Sequence, residues 1–281
     1  MARENTAEAG ARPLGAYGLR LEGLNGAAPW MQPQQPEAPE FRLQVEVGSS
    51  SGAPSVLDEA GADLLLIGGG RLQISRGSHE ARFTLPRRPP DEELLHPYLA
   101  PAAALFWQWS GREAIHAGAF GALAGAILVA GDKEAGKSTT LGWLARQAGV
   151  TVLTDDLAVL DGGTVLAGPR SIDLRVSADH SGSSAHLVRG GERDRVQLTL
   201  APDGLPLAGL VVLEWAPRLQ FEPIGFKDRL AIIDRQRTFH GIDPNPTAML
   251  ELGSVPMIRA GRPRDMQLLP EFGRALLDYF S

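Results

Sequence analysis

The chain has 281 residues, 43% of them hydrophobic, and 27 basic against 33 acidic side chains, a net charge of −6. That is enough for one large domain or two small ones with a buried core, and the acidic balance excludes a general electrostatic footprint for nucleic acid. The absence of cysteine excludes disulfides, thiolate zinc sites and cysteine nucleophiles.

The polar start MARENTAEAG has no apolar core of signal-peptide type, which predicts a cytoplasmic protein, and residues 1–13 read as a loose tail. Residues 17–24 read as a first strand. The four prolines of GAAPWMQPQQPEAPE (26–40) predict a loop or flexible insert. FRLQVEV (41–47) alternates apolar and polar residues, the period of a half-buried strand, and 64–67, 71–75 and 81–85 read as further strands. The first ninety residues are therefore predicted to form a β-rich module, which either recognises a peptide or covers the next domain. PRRPP (86–90) marks its boundary. A helix after Asp91 is expected to carry Leu105, Phe106 and Trp109. Trp107, Trp109 and Trp143 read as core. The uncharged stretch 114–131 approaches the length of a membrane span, but its glycines and His116 predict two short buried strands and no membrane contact. Two later helices are predicted at 226–236 and 266–280.

GDKEAGKS, from Gly131 to Ser138, matches G-x-x-x-x-G-K-[ST]. The apolar GAILVAG precedes it as a buried strand. TTLGWLARQAG follows as a helix with Leu141, Leu144, Ala145 and Ala148 on one face and Gly149 at the stop. In that context Gly131, Asp132, Lys133, Glu134, Ala135, Gly136, Lys137, Ser138 and Thr139 form a nucleotide-binding loop. Backbone N–H groups and the helix dipole favour the phosphates, Lys137 neutralises them, and Ser138 ligates Mg²⁺. Glu134 stands where such loops often carry glycine. A positive φ there would be strained, and its carboxylate lies near the anion unless Lys133 offsets it. Val150 to Leu153 reads as a strand ending on Asp155-Asp156, followed by a hairpin of 157–160 and 164–167 turning on DGG.

His116-Ala117-Gly118 fifteen residues before Gly131, GDKEAGKST, TDDLAVL and Gly168-Pro169 together resemble the HPr kinase/phosphorylase family. The similarity is greater to its kinase homologues in lasso-peptide-type (ribosomal peptide) biosynthesis clusters. It covers residues 116–175, with a looser likeness of layout that extends to SVPMIRAGRPRDMQLLP. The resemblance implies an α/β fold of PEP-carboxykinase/HPr-kinase type, a P-loop kinase domain with a mixed sheet over 91–281 behind the β-rich module of 1–90. It implies ATP and Mg²⁺ as cofactors and phosphoryl transfer to a serine of a peptide or small protein. Asp155 would be the general base, Asp156 a metal ligand beside Ser138, and His116 a neighbour of the transferred phosphate. The family's second signature is absent from PRSIDLRVSADHSGSS, where Asp173 is the nearest acid, so a kinase acting in one direction on another partner fits better than one acting on HPr.

Each of these residues also has a plainer reading. Paired aspartates at a strand end are often turn chemistry, and a lone histidine in an apolar run is often a core residue. Arg170, Arg175 and Arg189 read as solvated surface, whereas Arg193 and Arg195, in the GGERDR turn, are candidate substrate contacts. Two other functions stay open: a nucleotide-binding regulatory or scaffold protein that has lost catalysis, and a kinase for a small-molecule hydroxyl. Relatives of this type often assemble, which makes a homo-oligomer a further expectation.

Overall fold

The computed structural model describes residues 12–50, 52–66, 69–176 and 186–281. Most of the predicted tail, Ile67, and residues 177–184 of the SADHSGSS stretch lie outside them.

Residues 14–85 build an eight-stranded sheet from β1 (Leu14–Ala16), β2 (Leu19–Glu22), β3 (Gln32–Pro33), β4 (Glu40–Val47), β5 (Val56–Leu57), β6 (Gly61–Leu65), β7 (Arg71–Ser75) and β8 (Glu80–Leu85). Their order is β3-β1-β2-β4-β8-β7-β6-β5, with β4 parallel to both its neighbours. The alternation in β4 works as read: Phe41 and Leu43 are buried while Glu40 and Arg42 are exposed. The predicted first strand is split. Tyr17 and Gly18 both take positive φ (57° and 70°) and make a two-residue turn between β1 and β2. Residues 26–40 are not a flexible insert either. They form a 3₁₀ turn (Asn25–Trp30) and β3, with Ala27, Met31, Gln32 and Gln34 buried. Proline forbids a regular helix here but keeps its carbonyl, and that of Pro29 accepts hydrogen bonds from Arg170 (3.3 Å) and Gln197 (2.7 Å).

The predicted helix after Asp91 is interrupted. α1 (Asp91–Glu93) breaks where His96 is extended (φ −151°) before Pro97, and α2 (Leu99–Trp109) follows. A residue preceding proline is pushed out of the helical region. α2 closes the first sheet: Leu105, Phe106 and Trp107 share a hydrophobic cluster with Phe41, Leu72 and Phe83.

The second sheet contains β9 (Glu113–Ile115), β10 (Gly118–Ala122), β11 (Gly125–Gly131), β12 (Thr151–Thr154), β13 (Ala158–Asp161) and β14 (Thr164–Leu166), with α3 (Lys137–Leu144) after β11. β15 (Ser171–Arg175), β16 (Leu187–Val188) and β17 (Arg193–Gln197) make a separate three-stranded sheet. The long β18 (Gly204–Trp215) returns to the second sheet, followed by β19 (Gln220–Pro223), α4 (Phe226–Gln236), α5 (Pro246–Ser254), β20 (Met257–Arg262) and α6 (Leu269–Tyr279). The order is β12-β10-β11-β18-β14-β13-β9, with β20 on β18 and β19. β11, β18 and β20 are parallel neighbours.

β11 is buried along its whole length, as a parallel strand covered on both faces must be. Ala126, Leu128 and Ala130 face a cluster with Ile232, Ile233 and Leu252 of α4 and α5. Ile127 and Val129 face Leu141, Leu144, Phe272 and Leu276 of α3 and α6. The result is a three-layer helix–sheet–helix stack around a mixed sheet, each large β11 side chain contributing roughly 1.5–3 kcal/mol by burial. Residues 114–131 hold three short strands rather than the two expected, and no helix among the described residues is long and apolar enough to cross a membrane.

Two helix readings need correction. α3 ends at Leu144, because Arg146 and Gln147 bond three residues back and tighten the chain, which leaves Ala148 exposed. Gly149 does take the left-handed φ of 77°. The second correction is α5, a third late helix beside the two predicted. Its signal was the pair Asn245-Pro246: the Asn245 side chain accepts from Thr247 N (2.9 Å) and Ala248 N (3.2 Å), and proline sits at the first position. Asn245→Ala is expected to lower unfolding free energy by about 1 kcal/mol in a urea melt.

Candidate active site

Strand direction gathers the candidate residues at one edge. β10 runs antiparallel to both β11 and β12, so those two point the same way. With β18 and β20 parallel to β11, the loop after β11, Asp155-Asp156 after β12, Trp215 ending β18 and Arg262 ending β20 all emerge on the same side. His116, just before β10, arrives there from the opposite direction. In open α/β sheets this carboxyl edge is where ligands bind.

The loop is a tight one. Gly131 (φ 142°) leaves β11 and Gly136 (φ 93°) caps α3. The first N–H groups of α3 lack intrahelical partners, as at any helix start, and face the loop interior with the helix dipole behind them. Lys137 is buried, and its Nζ donates to the carbonyls of Gly131 (2.7 Å) and Asp132 (3.3 Å). Burial pushes the ammonium below its ordinary value, against the pull of Asp156, Asp155 and Asp132. Glu134 has the positive φ (70°) expected from its position. Its carboxylate is met chiefly by Arg175 at 2.5 Å, which with Lys133 and Arg264 holds it below the usual range. The Trp215 indole donates to its carbonyl at 3.1 Å. Replacing Glu134 with glycine relieves the backbone and removes a negative charge from the loop tip. Glu134→Gly is expected to tighten MgATP binding by about threefold in a calorimetric titration, a modest gain because the pair is exposed.

Asp155 is buried, and desolvation together with neighbouring Asp156 raises its pKa to about 7, offset in part by the Ser138 hydroxyl. Oδ2 receives a long bond from the Asp173 N–H (3.4 Å), while Oδ1 has no hydrogen-bond partner among the described residues. Asp156 is half exposed, with Oδ1 3.4 Å from Nδ1 of His116. His116 is exposed as well, which removes its reading as a core residue. The glycine of His116-Ala117-Gly118 permits this closeness. A Cβ on Gly118 would fall 2.5 Å from the Asp155 carbonyl oxygen and 2.3 Å from Leu141. Gly168 is similarly confined, at 2.5 Å from the Thr154 hydroxyl and 2.7 Å from the Tyr17 ring.

Asp173 is not free to replace the missing signature acid. Desolvation raises its pKa, but Arg195 at 2.7 and 2.9 Å, His96 and Arg189 (3.1 Å) outweigh that and hold the carboxylate ionised. Arg195 pairs with it directly across β15 and β17 and reaches the carbonyls of Glu92 (2.5 Å) and His96 (2.6 Å). Fully buried, Arg195 is a structural tie and not a surface a peptide can touch. Arg193 is half-buried in the same strand, and with Arg175 it lines an open groove. Arg170 is spent on the Leu198 and Pro29 carbonyls.

Trp215 and Arg262 were not singled out from sequence. Both sit at ends of strands parallel to β11 and oppose each other in register. No cluster of three or more histidine and carboxylate side chains suited to a metal occurs among the described residues. Mg²⁺ beside a triphosphate keeps waters and phosphate oxygens as most of its ligands, so the hydroxyl of Ser138 and one carboxylate are a sufficient protein share. Half-exposed Asp156, 3.4 Å from His116, leaves a carboxylate for it.

No protein-family profile and no curated protein matches the chain. Among solved structures, it is similar to that of the Hpr(Ser) kinase/phosphatase from Coxiella burnetii, with 11% identity over 59% of this chain and 90% of that one and a TM-score of 0.34.

Proposed function

We propose that this protein is an ATP-dependent phosphotransferase that moves the γ-phosphoryl group to a hydroxyl, with a serine of a peptide or small protein as the acceptor class. The observation that carries this reading is the meeting, at one sheet edge, of a glycine loop with Lys137 at a helix start and a buried carboxylate whose pKa lies near 7. A base tuned to neutrality is what proton removal from an attacking hydroxyl requires.

The loop amides and Lys137 would hold the triphosphate, the lysine exchanging carbonyls for phosphate oxygens. Asp155 takes the acceptor proton as the hydroxyl oxygen bonds to γ-phosphorus and the bond to the β,γ-bridging oxygen breaks, releasing ADP. Asp156 and His116 flank that centre, and Asp173 holds Asp155 through its N–H. Mg²⁺ held by Ser138 and Asp156 would offset charge on the phosphoryl oxygens. The resemblance to the HPr-kinase-like homologues of peptide-modification clusters supports a ribosomal peptide precursor as the acceptor. The test is transfer of label from γ-labelled ATP to a panel of serine peptides and hydroxyl metabolites. Protein that binds MgATP but labels none of them would refute the assignment.

One observation favours a second reading, a nucleotide-binding regulatory protein without catalysis. Glu134 keeps a carboxylate and a left-handed backbone in the phosphate loop. A regulator would keep its biological effect in Asp155→Asn, and a kinase would not.

A further inference from the structure

Arg262 is buried, with 2% of its surface exposed. Its hydrogen bonding does not match that burial. Nε has no hydrogen-bond partner among the described residues, and Nη1 has a single long contact, 3.4 Å to the carbonyl of Pro263. Among the described residues no carboxylate pairs with it, in contrast to the buried Arg195 and Arg237, which meet Asp173 and Glu113. The guanidinium instead stacks on the Trp215 indole (4.6 Å) and near Phe272 (5.7 Å). An aromatic face attracts a cation, but it leaves the in-plane N–H donors unmatched. Burial accordingly lowers the affinity of the group for its proton. A buried cation without an anion is costly to maintain, and a site for an anionic ligand accounts for that cost.

The position of the group says where that anion would sit. Nη2 lies 2.7 Å from the point a Cβ on Gly136 would occupy, so the guanidinium touches the residue that caps α3. Glycine is required there both by the φ of 93° and by this contact. The loop thus brings together the open N–H groups of an eight-residue helix, Lys137, and an arginine without a carboxylate partner among the described residues.

We infer that Arg262 is a second cationic anchor of the phosphate loop, binding the phosphate chain of the nucleotide across Gly136 from Lys137. This rests on the phosphate-loop reading above and adds to it a residue 125 positions away in the chain, supplied by the strand β20. Trp215 is its positioning residue, clamping the guanidinium from one face and the Glu134 carbonyl through its N–H.

The test is calorimetry of pyrophosphate, ATP and adenosine, each with Mg²⁺, on wild type, Arg262→Gln, Arg262→Lys and Lys137→Ala, with melting temperatures measured without ligand. Arg262→Gln is expected to weaken pyrophosphate and ATP roughly ten- to hundredfold, the range for hydrogen bonds to charged groups. It should leave adenosine unchanged and the ligand-free melting temperature equal or higher. Arg262→Lys, which keeps the charge without the fork, should fall between, and it carries the comparison if the glutamine variant does not fold. If Arg262→Gln binds pyrophosphate as wild type does while Lys137→Ala does not, Arg262 is only a packing residue and the inference is overturned with the loop intact. Absence of pyrophosphate and ATP binding by wild type would overturn the loop reading itself, and this inference with it.

Discussion

Asp155→Asn is expected to lower kcat by about a thousandfold while changing MgATP affinity little. General bases contribute roughly 10²–10⁴ in rate, and the substitution keeps the shape of the side chain while removing its capacity to take a proton. Wild-type kcat/KM should fall about tenfold per pH unit below 7 and level off above it, because only the ionised form accepts a proton and its pKa is about 7. The same shift has an opposite sign for stability. The folded state binds the Asp155 proton more tightly than the unfolded chain, whose carboxyl titrates near 3.8, so this group weakens the fold progressively as pH rises from about 4 to about 7. Asp155→Asn should therefore melt higher than wild type at pH 8 and near wild type at pH 4. A variant that is both inactive and more stable is the signature of a buried carboxylate kept for chemistry. Because Oδ1 is covered in this conformation, the roles of the two aspartates can be separated by their Mg²⁺ dependence. A raised Mg²⁺ requirement in Asp156→Asn with none in Asp155→Asn supports the assignment. The reverse pattern would exchange base and metal ligand.

What could be read from the chain alone follows sequence distance. The strand–glycine loop–helix of residues 125–144 is legible because strand, glycines, lysine and helix are contiguous, and the place of Asp155-Asp156 at the same sheet edge because a single short strand separates them from that helix. Even the strain at Glu134 could be anticipated, since the motif itself fixes the backbone there. Arg262 and Trp215 could not, because their meeting depends on the parallel pairing of β18 with β20, and no local pattern encodes a partner 47 residues away. The reading of Arg195 went astray for a related reason. In a polar, glycine-rich stretch it resembles a surface residue, and only the cross-strand register opposite Asp173 turns it inward. Arg175 shows the converse: sequence proximity points to Lys133 as the counter-charge to Glu134, and it comes mainly from β15. Residues 26–40 were misjudged because prolines report on hydrogen-bond donors and not on packing, and that segment is held by its carbonyls. Asn245-Pro246 is different in kind, a local cap signal fully contained in the sequence.

Lys137→Ala is the change with the largest expected effect on nucleotide affinity, a loss of at least a hundredfold for MgATP by calorimetry. The ammonium is buried among backbone carbonyls at the loop mouth with three carboxylates acting on it, so its charge is little screened by water. Removing it leaves Asp155, Asp156 and Asp132 facing a polyphosphate with less positive charge to oppose them, and like charges at that range repel strongly. The variant should also alter Asp155 itself. With the cation gone, the carboxylate loses a favourable neighbour, so the Asp155 pKa should move above 7 and any residual activity should shift its acid limb to higher pH. Lys137→Arg provides the complementary control. It keeps the charge but presents a planar fork in place of the ammonium that reaches the Gly131 and Asp132 carbonyls, so affinity should remain below wild type. Wild-type affinity in the alanine variant would mean that the loop amides alone hold the phosphates, and the lysine would then belong to the transfer step, visible as a fall in kcat without a change in KM.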